Sequence, residues 1–371
     1  MPKHFLRNLL SLILIVFLFS SISAQERKII NEEFKKVNDE YNLLTMELNR
    51  LRNEISKAGE AGNAELYNKL KVAYDKISAD IKKYEKIRLD FINVNEIYND
   101  GNRAFKLGNN KEALDKYNEA IKKGMEVNSP ALNETISLAY YQIGLIMKSD
   151  KRYKESIEAY NNSIKYAPNY EKGYFALGNT YKDMDNFDLA IYNYLKTIEI
   201  DSSFYQAYFS LGTVYIDQWS RISESEFGKK EELLDKAESA FRDVMRINPK
   251  YYLAFTYLGR ILVETKRPVE AIETLNKAVS IEKNYWQHYY YLAVAYNQLN
   301  DPKGAKENAE NCLKFRKNFT PAFMEIGDAY KQLGDDNKAI EYYSKGLNDR
   351  IYRKLAEYKI DMIKNKDKYE Q

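Results

Sequence analysis

Residues 171–204 read EKGYFALGNTYKDMDNFDLAIYNYLKTIEIDSSF. Tyr174, Leu177, Gly178 and Tyr181 sit three or four residues apart, so they share one face of a helix. Ala190 and Tyr194 start a second apolar face in the same way. Gly178 and Ala190 are the small residues at which two such helices can bring their backbones together. The stretch is therefore two amphipathic helices, and neither can bury its apolar face alone.

The pattern recurs. The first small residue reappears as Gly144, Gly178, Gly212, Gly259, Ala293 and Gly327, at intervals of 34, 34, 47, 34 and 34, and Gly101 precedes them by 43. The second follows as Ala113, Ser156, Ala190, Ala237, Ala271, Ala305 and Ala339. An aromatic stands four residues before the first small residue in six repeats: Tyr140, Tyr174, Tyr208, Phe255, Tyr289 and Phe323. A large residue stands four after the second at Tyr117, Tyr160, Tyr194, Phe241, Leu275 and Tyr343. The fourth repeat carries 13 extra residues between its halves, around 217–231. A fixed period of this length predicts stacked helix pairs, an all-α solenoid.

This pattern resembles the tetratricopeptide repeat family, whose signature runs aromatic, Leu-Gly, Tyr, Ala, aromatic, with a closing Pro. Tyr174, Leu177-Gly178, Tyr181, Ala190 and Tyr194 match it, and Pro168 and Pro249 hold the closing position of two other repeats. Seven repeats are expected over 94–353: 94–127, 137–170, 171–204, 205–251 with its insertion, 252–285, 286–319 and 320–353. Asp100 replaces the expected aliphatic in the first, whose opening helix should merge with the helix before it.

Working outward, 26–93 predicts a long helical hairpin of coiled-coil type. Ile30, Phe34, Val37, Tyr41, Leu44, Leu48, Leu51 and Ile55 alternate spacings of 4 and 3, a heptad seam. Gly59 to Asn63 break it, and the pattern resumes at Leu66. Two helices of ~30 residues would each be about 45 Å long. The seam can close within one chain or form an oligomerisation stalk through residues 30–55; both readings stand. Residues 1–24 have the layout of a secretory signal: Lys3 and Arg7, an apolar run from Leu9 to Phe19, then Ser20, Ser21, Ser23 and Ala24. The run is short for a membrane span, which needs about 20 residues. Export to the periplasm or outside the cell is expected, with an uncleaved anchor as the alternative. At the other end, the stripe Ile351, Leu355, Tyr358 and Met362 predicts an amphipathic helix that caps the array, with 354–371 as capping helix and tail; a basic membrane-surface helix is the alternative.

Composition narrows the function classes. With 57 basic and 54 acidic residues the net charge is +3, so no strong field draws nucleic acid. One Cys and two His exclude an intrachain disulfide and a Cys/His metal cage; neither metal nor cofactor is expected. No glycine-rich phosphate loop, HExxH or GxSxG occurs, so no catalytic residues are assigned and the chain reads as a non-enzyme. Cys312 falls in a small buried position of its repeat, and His288 begins a repeat helix.

The family resemblance implies a concave groove lined by the first helix of each repeat, with the residue after each repeated aromatic facing it. Those residues are Tyr98, Tyr141, Phe175, Phe209, Thr256, Tyr290 and Met324. With Asn102, Asn179, Lys182, Arg260 and Asn297 they suit an extended peptide or helix of a protein partner. The insertion supplies a second candidate in Trp219, Arg221 and Phe227. The expected function is an exported, non-enzymatic interaction scaffold positioned or oligomerised by its hairpin. A structural spacer or assembly component of the cell envelope with no groove ligand, or a signal-anchored subunit of a membrane complex, fits the same residues.

Overall fold

The structure is a computed structural model and describes residues 24–223 and 225–368; the side chains of 24–33, 227 and 367 are outside that description. The signal-like residues 1–23 lie outside the described residues. The described chain is all-α, with 16 α-helices. It divides into two compact bodies after Asn186.

The N-terminal body begins with α1 (Ala24–Glu60) and α2 (Ala64–Lys106), joined by a turn in which Gly62 takes φ 68°. Asn63 caps α2 by accepting the N–H of Leu66. The two helices pack on each other within the chain. Phe34 stacks on Phe91 with centroids 4.5 Å apart, and the Arg88 guanidinium lies 4.3 Å over the Tyr41 ring. That cation covers the one tyrosine in the heptad seam. Phe34, Leu51 and Ala58 are buried, whereas Leu43, Met46, Val72 and Leu89 face solvent. α2 continues without a break past Gly101, so the closing helix of the hairpin is also the opening helix of the first repeat.

Next come α3 (Asn110–Val127), a 3₁₀ turn at Pro130–Leu132, α4 (Asn133–Ser149), α5 (Tyr153–Tyr166) and α6 (Glu171–Asp183), each packed on its predecessor. Phe34, Phe91, Tyr117, Leu132, Leu138 and Ile146 belong to one core, so the hairpin and the first repeats share a hydrophobic interior.

The C-terminal body runs α7 (Phe187–Ile200), α8 (Tyr205–Arg221), α9 (Phe227–Ile247), α10 (Tyr252–Glu264), α11 (Pro268–Ile281), α12 (Trp286–Gln298), α13 (Pro302–Phe315), α14 (Thr320–Gln332), α15 (Asp336–Ser344) and α16 (Arg353–Lys364). The insertion is taken up mainly as helix: α8 has 17 residues where α10 has 13, and α9 has 21 where α11 has 14.

The small-residue positions pack as their spacing demands. A methyl group added at Gly101 would lie 2.6 Å from the Tyr117 ring, and one at Gly212 would lie 2.8 Å from Phe241. Gly144, Gly259 and Gly327 are closed off in the same way by Tyr160, Leu275 and Tyr343. The turn between the two helices of a repeat uses a left-handed residue: Gly108, Lys151, Asp185, Lys266, Asn300 and Gly334 all have φ between 55° and 79°. The next N–H closes the turn, Arg267 onto the Leu262 carbonyl at 2.8 Å and Asp301 onto that of Tyr296 at 3.0 Å. This is a Schellman cap.

The terminal helix corrects the expected stripe. Ala356 and Ile363 are buried, while Ile351, Leu355, Tyr358 and Met362 are 82%, 42%, 51% and 37% exposed. The small Ala356 comes within 3.1 Å of where a Gly346 Cβ would stand, and Lys359 pairs with Asp328. Close approach at the alanine and that ion pair set the rotation of the helix, one residue away from the expected face.

Candidate partner-binding faces

In each body the first helices of successive repeats also touch: α4 with α6, and α10 with α12 and α12 with α14. Side chains on these shared faces are the candidate binding groups.

In the N-terminal body, Tyr98 is 4% exposed, its ring 5.8 Å from that of Tyr117. It is a core residue, contrary to the sequence expectation, because α3 and α4 close over the end of the long α2. Asn102 accepts a 2.9 Å hydrogen bond from the Tyr117 hydroxyl. Asp328 accepts one from Tyr343 at 2.6 Å in the matching position of the last repeat. Leu145 occupies that position in the second repeat. Tyr141 is half-buried, edge-on to Tyr170 at 5.3 Å and tilted on Tyr160 at 5.7 Å. Phe175, Asn179 and Lys182 are half-buried and fall on one face of α6.

In the C-terminal body, Phe209 is the hub of an aromatic cluster. Tyr251 and Tyr257 meet its ring nearly perpendicularly at 5.1 and 5.4 Å, and Phe241 meets it at 61° and 5.6 Å. Burial raises the hydroxyl pKa of Tyr257. The two candidate sites of this body converge on Trp219: the Arg260 guanidinium lies 5.8 Å from its ring and the Lys230 ammonium 5.5 Å. Arg221 points elsewhere, over Phe187 at 4.7 Å. Phe227 opens α9, and its side chain is outside the described residues. Sequence reasoning missed Lys230 and Tyr257, which lie outside the repeat positions singled out.

Thr256 and Met324 are 2% and 3% exposed and do not reach a groove. Thr256 is hydrogen-bonded to His288 Nδ1 at 2.9 Å. Met324 is enclosed with Ala339, Tyr343 and Ala356 under the terminal helix. Tyr290 is half-buried against Tyr291 and Phe319, and burial raises its hydroxyl pKa. The Asn297 amide donates to the Glu325 carbonyl at 3.0 Å and to its carboxylate at 2.7 Å, while the Asn297 carbonyl accepts from Gln332. Asn297 therefore ties α12 to α14. Only its Oδ1 lacks a partner among the described residues. Glu325 was not singled out in the sequence, yet burial pushes its carboxyl up to about 7.

His288 and Cys312 are both fully buried. Burial holds the imidazole down at about 4 and pushes the thiol up to about 12. The first is uncharged and the second unreactive near neutral pH.

Tetratricopeptide repeat models match residues 138–170, 171–204 and 320–348, and a second such model matches 230–287. These stretches are tetratricopeptide repeats, and the chain falls in the class of all-α repeat solenoids. No curated protein matches it. Among solved structures, Pseudomonas aeruginosa pilF is 14% identical over 61% of this chain and 98% of its own, with TM-score 0.50. YrrB, described as a TPR protein with an unusual peptide-binding site, is 21% identical over 54% of this chain and 99% of its own, with TM-score 0.45. A tetratricopeptide repeat protein from Parabacteroides merdae is 14% identical over 73% and 99%, with TM-score 0.47.

Proposed function

We propose that this chain is a non-enzymatic protein-interaction scaffold whose first-helix faces hold a peptide or helical segment of a protein partner. The observation that carries the reading is the convergence at Trp219. A half-buried indole flanked by Arg260 and Lys230, beside the aromatic cluster of Phe209, offers large rigid contact area with charge at its edge. Trp, Tyr and Arg are the residues that dominate binding energy at interfaces. The face formed by Phe175, Asn179 and Lys182 offers the same chemistry in the N-terminal body. The leader-like sequence of residues 1–24 supports export to the cell envelope or beyond as part of this proposal. No helix among the described residues is long and apolar enough to cross a membrane. The hairpin positions the repeats, and oligomerisation through residues 30–55 belongs to the same proposal.

Affinity capture from the cell envelope tests the reading. The full chain is compared with Trp219→Ala/Arg260→Glu, and separately with Phe175→Lys, each matched to it in circular dichroism and melting. One protein captured by the full chain and lost with either variant is the expected result. Capture unchanged by both defeats the groove reading and leaves the structural-spacer alternative in its place.

A further inference from the structure

A cavity of about 360 Å³ in the N-terminal body includes none of the candidate groove residues. It forms where the 3₁₀ turn at Pro130, the first turn of α4 and the α5–α6 connection meet. Leu138 and Ala131 line it, and both are buried. Tyr166, Pro168 and Tyr170 form its other wall. These walls are held in place: Tyr166 stacks on Tyr140 at 6.0 Å, Tyr170 stands edge-on to Tyr141, and Pro130 and Pro168 stiffen the two connections. Tyr170 thus touches both the cavity and Tyr141 of the candidate face of α4.

Its charged lining is Glu134, Glu171 and Lys172, two carboxylates to one ammonium. Glu171 is 7% exposed. A cavity with aromatic walls and an excess of carboxylate suits a side chain with an apolar stem and a cationic head. We infer that this cavity is an anchor site for a lysine or arginine side chain of the partner segment, its stem against Tyr166 and Pro168 and its head toward Glu134 and Glu171. The inference rests on the scaffold reading and names the chemistry of the partner. An apolar anchor would fill the same walls but gain nothing from the carboxylates. An acidic anchor would meet them with like charge.

A displayed library of random twelve-residue peptides, selected on the full chain, supplies the probes. The selected peptides are expected to share a Lys or Arg at one position. Replacing it with norleucine should weaken binding at least tenfold in fluorescence anisotropy. Glu134→Lys, at the half-buried start of α4, should weaken the parent peptide tenfold and leave the norleucine peptide unchanged; Glu134→Gln should fall between. Melting curves of both variants matched to the parent protein separate this effect from misfolding. Peptides without a shared basic residue, or indifferent to Glu134→Lys, overturn the anchor. If those peptides are still lost with Phe175→Lys, the scaffold reading stands without it. A library that yields no binder overturns both.

Discussion

At the scale of single residues, the small positions and the buried ionisable groups make opposite kinds of claim. Gly259 is a packing residue, since an added methyl would overlap the Leu275 side chain. Alanine in a helix interior gains about 1 kcal/mol over glycine, but overpacking costs about 1–3 kcal/mol. Gly259→Ala should therefore lower stability in urea denaturation. Gly228→Ala, with nothing within 4 Å of the added methyl, should be neutral or stabilising by up to about 1 kcal/mol. The ionisable pair in the C-terminal body sets a pH dependence. The depressed pKa of His288 means that the unfolded chain takes up the proton first. Its stabilising share is complete above pH 6.5 and lost as pH falls toward 4. Glu325 has a raised pKa, so its share is complete below pH 4.5 and lost as pH rises to about 7. The two slopes oppose each other between pH 4.5 and 6.5. Glu325→Gln removes one of them. Its melting temperature should climb with pH across that window where the parent stays flatter, and above pH 7 it should be the more stable by roughly 1–3 kcal/mol. A variant that melts below the parent at pH 8 would defeat the assignment.

At the scale of elements, the sequence was legible wherever two constraints coincided. The helix pairs stood out because a small residue and its large partner are locked at a fixed offset, as with Gly144 and Tyr160. The left-handed turn position was hidden, because Lys151, Asp185, Lys266 and Asn300 stand where only Gly108 and Gly334 announce it. The terminal helix was legible as a helix but not in its rotation. A 4-3-4 stripe at Ile351, Leu355, Tyr358 and Met362 is a sound amphipathic signal, and a small residue with one long-range ion pair overrode it. The groove positions failed at Tyr98, Thr256 and Met324 for a related reason. A periodic position says which way a side chain starts out, but a neighbouring element decides whether it is covered. In the hairpin, Phe34 on Phe91 secures α1, and removing a buried phenyl costs about 3–5 kcal/mol. Phe34→Ala should expose the amides of α1 to hydrogen exchange before those of α3–α5. The outward Leu43 and Met46 test the stalk. If the chain oligomerises there, Leu43→Glu/Met46→Glu should reduce the mass measured by sedimentation equilibrium to that of a monomer. An unchanged mass excludes that face.

At the scale of the whole molecule, each helix within a body packs chiefly on its neighbours in sequence. In such a chain stability is a sum of local interfaces, and damage stays local. Leu275 is fully buried in the cluster that also holds Phe241, Leu258 and Leu292, so it joins α9, α10, α11 and α12. Leu275→Ala leaves a cavity there and should cost about 2–5 kcal/mol. A globular core would spread that loss across every slow-exchanging amide. A repeat chain confines it. Native-state hydrogen exchange should show faster opening of α9–α12, with protection in α3–α5 unchanged. Unfolding of the full chain in urea should broaden rather than shift as one sigmoid. Uniform loss of protection in both bodies would show that the array unfolds as a single cooperative unit, and a partner bound at one face would then stabilise every repeat equally. Confined loss means that a bound segment stabilises only the repeats it touches. The protection it confers then maps its binding site, which makes the same measurement on a partner complex the direct test of whether α4–α6 or the Trp219 face is occupied.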